Sequence, residues 1–267
     1  MSIYMTINGK RVKARDGEMV LDAARREGIE IPTLCVHDAV EPFGACRLCM
    51  VEVTKPSWGG WKGLMTACLY PAAKDLIIET HSERVQEVRR TVLDLLLARC
   101  PGSDVIREVA AAHGVEQTSF TERPDADLCI LCGLCTRICE KAATSAITTV
   151  NRGHERCIGT PWGGEPPDCI GCLACAHICP TGHIQFTEGG PERSIWGRTF
   201  KLKRCQTCGK PLPITEDQAA FHVEEQDLDE TYFSRCADCQ RQDTAKAFGR
   251  IAAWHKLGMT QEEEVNK

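Results

Sequence analysis

Residues 3–14 alternate between apolar and polar side chains, which predicts a β-hairpin. Asn8-Gly9 separates the two alternating runs and is the dipeptide most typical of a type I′ hairpin turn. The apolar positions are Ile3, Met5, Ile7, Val12 and Ala14. Helical spacing follows over residues 19–26, and Gly28 is placed to end that helix.

Helical spacing also dominates the next part of the chain. Residues 82–99 predict an amphipathic helix, and residues 104–113 predict a second one between Ser103 and Gly114. The apolar face predicted for the first of these helices is Val85, Val88, Val92, Leu95 and Leu96. A last amphipathic helix is predicted over residues 243–257, with Ala245, Phe248, Ile251 and Ala252 on one face.

Composition adds cysteine as the main feature: 18 of 267 residues are cysteine, while aromatic residues make up only 6%. The start of the sequence lacks an apolar signal region, and no run is apolar for the length of a membrane span. We therefore expect a cytoplasmic protein without direct membrane insertion, whose cysteines bind metals. The net charge of −5 argues against a nucleic-acid partner. With so few large core residues, the metal-free chain should be poorly folded.

Two cysteine runs, CILCGLCTRIC at 129–139 and CIGCLACAHIC at 169–179, share gaps of two, two and three residues. This is the spacing of bacterial two-cluster ferredoxins, in which the fourth cysteine of each run ligates the other cluster. The predicted ligands of [4Fe–4S] cluster A are Cys129, Cys132, Cys135 and Cys179. Those of [4Fe–4S] cluster B are Cys139, Cys169, Cys172 and Cys175. Two zinc sites are the weaker alternative, since zinc does not require this spacing twice.

A third quartet lies nearer the start: Cys35, Cys46, Cys49 and Cys68. A [2Fe–2S] cluster needs two thiolates per iron, and a long loop with one distant cysteine supplies them. The gap of ten residues after Cys35 departs from plant-type ferredoxins, which have four. A structural zinc knuckle is the alternative.

The residues around this quartet, PTLC at 32–35, GACRLCMVEV at 44–53 and AC at 67–68, resemble a known family. They are similar to the N-terminal part of the large iron–sulfur subunit of respiratory complex I. They are also similar to the small diaphorase subunit of NAD-reducing hydrogenases and to the [FeFe]-hydrogenase N-terminus. The resemblance continues through both ferredoxin-like runs. It implies a β-grasp fold for the first domain and a flavoprotein NAD(H)-type subunit as partner.

The chain departs from that family between Cys68 and Cys129. The family carries another [4Fe–4S] cluster there, held by one histidine and three cysteines, whereas this chain has only Cys100. His81 and His113 have no cysteine companions in the sequence. We expect this cluster to be absent, and Cys100 and Cys157 to be packing residues rather than ligands.

Two CxxC pairs, Cys205 with Cys208 and Cys236 with Cys239, predict a closed Cys₄ zinc ribbon near the end of the sequence. The acidic stretch between the pairs is too polar to form a core, so the metal should drive its folding. Rubredoxin-like iron, a further iron–sulfur cluster and a CxxC redox pair are the alternatives.

These motifs, together with what the family resemblance implies for the first domain, predict an α+β chain of four parts. They are a [2Fe–2S] β-grasp domain at 1–80, a helical connector at 81–121, a two-[4Fe–4S] ferredoxin-like module at 122–190 and a Cys₄ zinc-ribbon domain with a C-terminal helix at 196–257.

The sequence has no glycine-rich nucleotide fingerprint and no candidate catalytic acid, base or nucleophile. It therefore predicts an electron-transfer subunit that is not catalytic alone. Its partners would be a flavin/NAD(H) subunit and a catalytic oxidoreductase subunit, of hydrogenase, formate dehydrogenase or aromatic acyl-CoA reductase type. An iron–sulfur redox sensor or a metal-folded scaffold is the alternative, and three clusters with an acidic charge argue against it.

Overall fold

The computed structural model describes the backbone of residues 2–123 and 128–264, and the side chains of residues 3–123 and 128–251. The chain has a mixed α/β fold that divides into two compact units. The first unit contains residues up to 169 together with 173–185, and the second contains 170–172 together with the residues from 186 onward.

A five-stranded mixed sheet begins the first unit, with strand order β2-β1-β5-β3-β4. Strands β1 and β5 are parallel, and the other neighbours are antiparallel. The predicted hairpin is confirmed, because Asn8 and Gly9 both have positive φ, at 49° and 79°. The elements are β1 (Ser2–Ile7), β2 (Lys10–Arg15), α1 (Val20–Arg26), β3 (Met50–Thr54), β4 (Gly63–Thr66) and β5 (Ile77–Glu79).

The core of this sheet lies between the strands and α1. Every predicted inward position of the hairpin except Ile3 is buried, and Val20 and Leu21 of α1 complete the layer. Cys49 and Cys68 belong to the same core. Two of the predicted ligands are therefore part of the buried core of this sheet, where side chains have little freedom to move.

Two helices follow the sheet, α2 (Glu83–Arg99) and α3 (Asp104–Ala112). The cap predicted for α3 is confirmed, because the Ser103 Oγ accepts from the Ile106 N–H at 3.4 Å. Ser82, which the prediction placed inside the first helix, caps α2 instead: its Oγ accepts from the Val85 N–H at 3.4 Å.

The predicted apolar face of α2 is wrong in part. Leu95 is 49% exposed, and the buried positions are Val85, Leu93, Leu97, Ala98 and a charged residue, Arg89. The true buried stripe has four-residue spacing over 85, 89, 93 and 97. A search for apolar residues at helical spacing misses this stripe, because its second position is occupied by Arg89.

The two cysteine runs are built from short elements. They are α4 (Leu134–Ala142), β6 (Thr148–Val150), β7 (Cys157–Gly159) and α5 (Ala174–His177). Strands β6 and β7 pair antiparallel, and α4 packs against α5. Each helix begins inside its run, so the sulfur-bearing loop leads directly into a helix.

A four-stranded antiparallel sheet forms the second unit, in the order β11-β10-β9-β8. Its elements are β8 (Phe186–Gly189), β9 (Glu192–Ile195), β10 (Arg198–Arg204), β11 (Pro211–Thr215), α6 (Glu216–Gln226) and α7 (Ala237–Glu264). Helix α7 is longer than predicted and begins before Cys239. Phe248 and Ile251 are 67% and 59% exposed, so its apolar face is not core; the side chain of Ala252 lies outside the described part.

No helix in the described part of the chain combines the length and hydropathy needed to cross a lipid bilayer.

Candidate metal centres

All four cysteines of the first quartet are buried. The Sγ atoms of Cys49 and Cys68 lie 3.3 Å apart, although the residues are 19 positions apart in sequence. The backbone N–H of Cys46 donates to the Cys35 Sγ, and that of Leu34 donates to the Cys46 Sγ, each at 3.4 Å. Cysteines that lie 11 and 19 positions apart in sequence are thus neighbours in the fold.

Hydrogen bonds join the thiols of this site in two pairs, and in each pair they lower the pKa of one thiol and raise that of the other, Cys46 or Cys68. A hydrogen bond with the Cys46 side chain lowers the pKa of Cys35 to about 6, with help from the nearby Arg137. Hydrogen bonding with Cys68 lowers the pKa of Cys49 to about 7. One thiol of each pair is therefore readily ionised, and backbone N–H groups donate to the sulfur atoms of Cys35 and Cys46, so the donor set fits an iron–sulfur cluster.

The loop that carries Cys46 and Cys49 depends on two left-handed residues. Gly44 has φ of 72°, and a Cβ there would lie 2.6 Å from the Leu69 Cδ1. Arg47 has φ of 59° without being glycine. Positive φ turns successive N–H groups toward one side, which lets them point at sulfur.

Arg89 is a site residue that the sequence analysis missed. Its side chain is buried, and its Nε and Nη2 donate to the carbonyl oxygens of Leu48 and Met50 at 3.0 and 2.9 Å. These two carbonyls flank Cys49. Burial lowers the pKa of Arg89, and the Cys49 thiolate opposes that effect. The signal in sequence is the four-residue spacing of Val85, Arg89 and Leu93, which places an arginine on a buried stripe.

The first [4Fe–4S] set is brought together around a small apolar cavity. Its walls include Cys129, Cys132, Cys135 and Cys179, together with Ile130, Ile158 and Ile184. The predicted crossed cysteine, Cys179, is thus a neighbour of three residues more than forty positions earlier. Burial raises the pKa of Cys132 to about 11 and that of Cys135 to about 12. Buried thiols of this kind become thiolates when a cationic group compensates them, so the cavity fits a metal cluster.

The two cysteine loops share a backbone pattern. Leu131 and Gly133 have φ of 54° and 70° in the first loop, and Gly171 and Leu173 have 66° and 63° at the equivalent positions of the second. Each loop therefore uses left-handed residues two and four positions after its first cysteine, with glycine at only one of them. The repeat seen in the cysteine spacing extends to the backbone.

The second [4Fe–4S] set is described in parts. Cys139 lies on α4, and Cys175 lies on α5, which packs against α4. The N–H of Cys169 donates to the Pro166 carbonyl at 3.2 Å. Cys172 lies in the stretch 170–172, which belongs to the second unit. The full set of Cys139, Cys169, Cys172 and Cys175 stays a prediction.

Arg137 of α4 joins two cysteine loops within the first unit. Its Nη2 donates to the Cys35 carbonyl at 3.1 Å, and its Nε donates to the Gly133 carbonyl at 3.1 Å. The guanidinium also donates to the Glu41 carbonyl and lies 5.4 Å from the Phe43 ring centre. These contacts span up to 102 residues of sequence, so no local pattern predicts them.

Two more arginines hold carbonyls of cysteine loops. The Arg99 Nε donates to the Cys129 carbonyl at 2.7 Å. Within the second unit, the buried Arg193 donates to the Gly171 carbonyl at 2.9 Å and pairs with Glu188 at 2.7 Å. Positive charges thus lie beside both of these cysteine-bearing loops.

The last quartet is the most compact. The ligand atoms of Cys205, Cys208, Cys236 and Cys239 all lie within 4.8 Å of one another, and no other group of three or more residues in the described ranges meets that limit. Close sulfur atoms suit one tetrahedral ion, whose Zn–S bonds are about 2.3 Å long. The N–H groups of Cys236 and Cys239 donate to the Sγ atoms of Cys205 and Cys236, at 3.3 and 3.4 Å.

Hydrogen bonds also set the thiol chemistry of this quartet. The backbone N–H of Cys236 lowers the pKa of Cys205 to about 6. Hydrogen bonding with Cys236 raises the pKa of Cys239 to about 12.

Two cysteines lie outside the four quartets. Cys100 ends α2 and is fully buried. Cys157 begins β7 and is half-buried, with its Sγ 4.0 Å from the Asn151 Nδ2. Neither residue lines the cavity of the first [4Fe–4S] set.

Comparison with known proteins places this chain among iron–sulfur proteins. The 2Fe-2S iron–sulfur cluster binding domain family matches residues 1–83. One component of the NADH-quinone oxidoreductase of Rhizobium meliloti is 28% identical over 239 residues, which are 80% of this chain and 27% of that protein. The alpha subunit of the NADPH-Fe(3+) oxidoreductase of Geobacter sulfurreducens is 30% identical over 256 residues, 87% of this chain and 30% of that protein.

A solved structure extends the likeness to three dimensions. One chain of an NAD⁺-reducing [NiFe]-hydrogenase, crystallised in the H₂-reduced state, matches with a TM-score of 0.59 and 25% identity. The match covers 86% of this chain and 98% of that one. The predicted resemblance to complex I and NAD-reducing hydrogenase subunits is confirmed. The chain spans 27–30% of the length of the first two curated relatives.

Proposed function

We propose that the chain is an electron-transfer subunit of a multisubunit oxidoreductase. It would pass single electrons between a flavin/NAD(H) subunit and a catalytic subunit. The observation that carries the proposal is the cavity shared by Cys179 with Cys129, Cys132 and Cys135. A thiol drawn from a distant run into a cysteine-lined cavity is what the crossed ligation of two-cluster ferredoxins requires.

The proposed cofactors are one [2Fe–2S] cluster, two [4Fe–4S] clusters and one zinc ion. The [2Fe–2S] cluster is assigned to Cys35, Cys46, Cys49 and Cys68, in a sheet whose order supports a β-grasp domain. Zinc is assigned to Cys205, Cys208, Cys236 and Cys239, because among the described residues only this set is compact enough for one ion. The sub-domain boundaries at 80, 121 and 190 belong to the same proposal.

When bound, iron–sulfur clusters supply one-electron transfer at potentials set by hydrogen bonds, charge and solvent exposure. The residues of this chain would bind the clusters, shield them from water and set their reduction potentials. Buried cysteines exclude water, and backbone N–H groups donate to sulfur at the first quartet. Arg89 and Arg99 hold loop carbonyls and place positive charge near the thiolates. Such charge favours the reduced, more negative form.

The names of the relatives support partner subunits of NAD(P)H-linked complexes. In this proposal the [2Fe–2S] domain exchanges electrons with a flavoprotein, and the ferredoxin-like module passes them toward a catalytic subunit. A cytoplasmic location rests on the cysteine usage alone.

The test separates a carrier from an enzyme or a sensor. Anaerobically purified chain is mixed with NADH and a viologen acceptor, with and without its native flavoprotein subunit. We expect viologen reduction only with the flavoprotein, because hydride transfer moves two electrons and needs a flavin or similar converter. Cys179→Ser in the same complex should slow the transfer, and Cys157→Ser is the matched control. NADH turnover by the flavin-free chain would refute the proposal.

A further inference from the structure

A cleft of about 860 Å³ lies beside α2 in the first unit. It is bordered by the segment that follows α1, by the first half of α2 and by the end of α3. Its volume falls in the range of small-molecule sites, about 300–1,000 Å³. None of the cysteines assigned to metals lines it.

Arginine and histidine side chains dominate the polar lining. Arg25, Arg89, Arg90, His81 and His113 line the cleft, and among the described residues Glu30 is the only carboxylate that does. Arg25 is oriented by a hydrogen bond of 3.0 Å from its Nη2 to the Thr33 Oγ1. An excess of guanidinium groups around one cavity favours an anion, and their planar donor geometry suits phosphate.

Arg89 gives this cleft a donor that is already fixed in place. The side chain is 2% exposed, and its Nε and Nη2 are used by the Leu48 and Met50 carbonyls. Its Nη1 has no acceptor among the described residues. Among the described residues only the Gln218 Oε1 is both fully buried and unpaired, so the Arg89 Nη1 keeps some access to solvent. A ligand in the cleft is in position to accept a hydrogen bond from it.

The remaining lining is apolar. Ile29, Ile31, Pro32 and Ala112 contribute to the wall. A cavity that joins apolar surface to clustered guanidinium groups fits a molecule that carries both a phosphate and a flat or apolar part.

We propose that this cleft binds a nucleoside phosphate, with its phosphates on Arg25, Arg89 and Arg90 and its base against Ile29, Ile31 and Pro32. Recognition is by side chains rather than by a glycine-rich loop, which explains why the sequence has no nucleotide fingerprint. The ligand is bound and not transformed, so this function goes beyond the proposed electron transfer and does not depend on it.

Isothermal titration of the full, cluster-loaded chain with ADP tests the proposal, with inorganic phosphate as a second titrant. We expect one ADP site. Arg25→Gln and Arg90→Gln should each weaken it by about tenfold or more, because hydrogen bonds to charged groups contribute that much. Ala112→Trp narrows the cleft without changing its charge, so it should weaken the binding of ADP more than the binding of phosphate.

Arg84→Gln is the matched control. Arg84 lies on the same helix, is exposed, and does not line the cleft. Its variant should bind ADP as the parent chain does. The proposal is overturned if ADP produces no binding heat at millimolar concentration, or if Arg84→Gln weakens binding as much as Arg90→Gln. Phosphate binding as tightly as ADP would overturn the nucleoside part. Reduction of the clusters is not needed for any of these measurements.

Discussion

At the scale of single residues, Arg89 combines a structural and an electrostatic role. Arg89→Met should destabilise the fold by about 1–3 kcal/mol for each carbonyl left without a donor, Leu48 and Met50. It should also lower the midpoint potential of the proposed [2Fe–2S] cluster, since a positive charge near Cys49 is lost. Chemical unfolding and a redox titration followed by EPR measure the two effects.

The charge-preserving variant Arg89→Lys separates these effects. The midpoint potential of Arg89→Lys should stay close to that of the parent chain, because the positive charge is kept. Its free energy of unfolding should still fall, because an ammonium group cannot donate to two carbonyls in the fork geometry of guanidinium. Equal potentials in the parent chain and in Arg89→Met would contradict the electrostatic role.

Gly171 is constrained by its close neighbours as well as by its backbone conformation. Its φ is 66°, and a Cβ there would lie 2.7 Å from the Phe200 Cδ2 and 3.1 Å from the Thr215 Cγ2. Gly133 has a similar φ of 70°, but its nearest neighbour would be 3.8 Å away. Gly171→Ala should therefore lower the free energy of unfolding by about 1–3 kcal/mol more than Gly133→Ala does, because the added methyl group overpacks the site. Urea unfolding of both variants checks this; equal losses would mean that Phe200 moves freely aside.

Cys100 and Cys157 are expected to be packing residues. Cys100→Ala and Cys157→Ala should leave the iron content and the EPR lines unchanged, because a lone buried thiol acts as a small apolar side chain. A missing cluster signal in either variant would require a different ligand set.

At the scale of elements, helix α4 is predicted to serve two centres at once. Cys135 near its start is assigned to cluster A, and Cys139 one turn later is assigned to cluster B. Cys139→Ser should therefore damage the cluster held by Cys169, Cys172 and Cys175, although Cys139 belongs to the first run. EPR of the reduced variant decides; loss of the other [4Fe–4S] signal instead would reverse the assignment.

The elements that the sequence predicts well have local signals. The Asn8-Gly9 turn and the Ser103 cap each act within four residues, so they can be predicted without knowing the fold. The face of α2 is misassigned because the burial of Arg89 depends on carbonyls of β3 and the preceding loop, about forty residues away. The contacts of Arg137 with Cys35 are equally long-range. Cysteine spacing predicts the crossed position of Cys179 only because that motif records a known ligation geometry.

At the scale of the whole molecule, metals should account for much of the order. Anaerobically purified protein should contain about ten irons, from one [2Fe–2S] and two [4Fe–4S] clusters, and about one zinc. Elemental analysis with Mössbauer spectroscopy measures this. Removal of the metals should expose the buried thiols and reduce cooperative unfolding, because aromatic residues form only 6% of the chain. About fourteen irons would mean that the histidine-ligated cluster of the family is present after all.

Arg137 bears on how the holoprotein is assembled in the cell. Its guanidinium donates to the carbonyl of Cys35 and to those of Cys132 and Gly133, so one side chain helps to shape two loops that are proposed to hold different clusters. Insertion of a cluster into either loop should restrict the Arg137 side chain and hold the other loop closer to the conformation that binds its own cluster. Maturation would then be an ordered process, in which a chain that has received its first cluster accepts the second more readily than an empty chain accepts either.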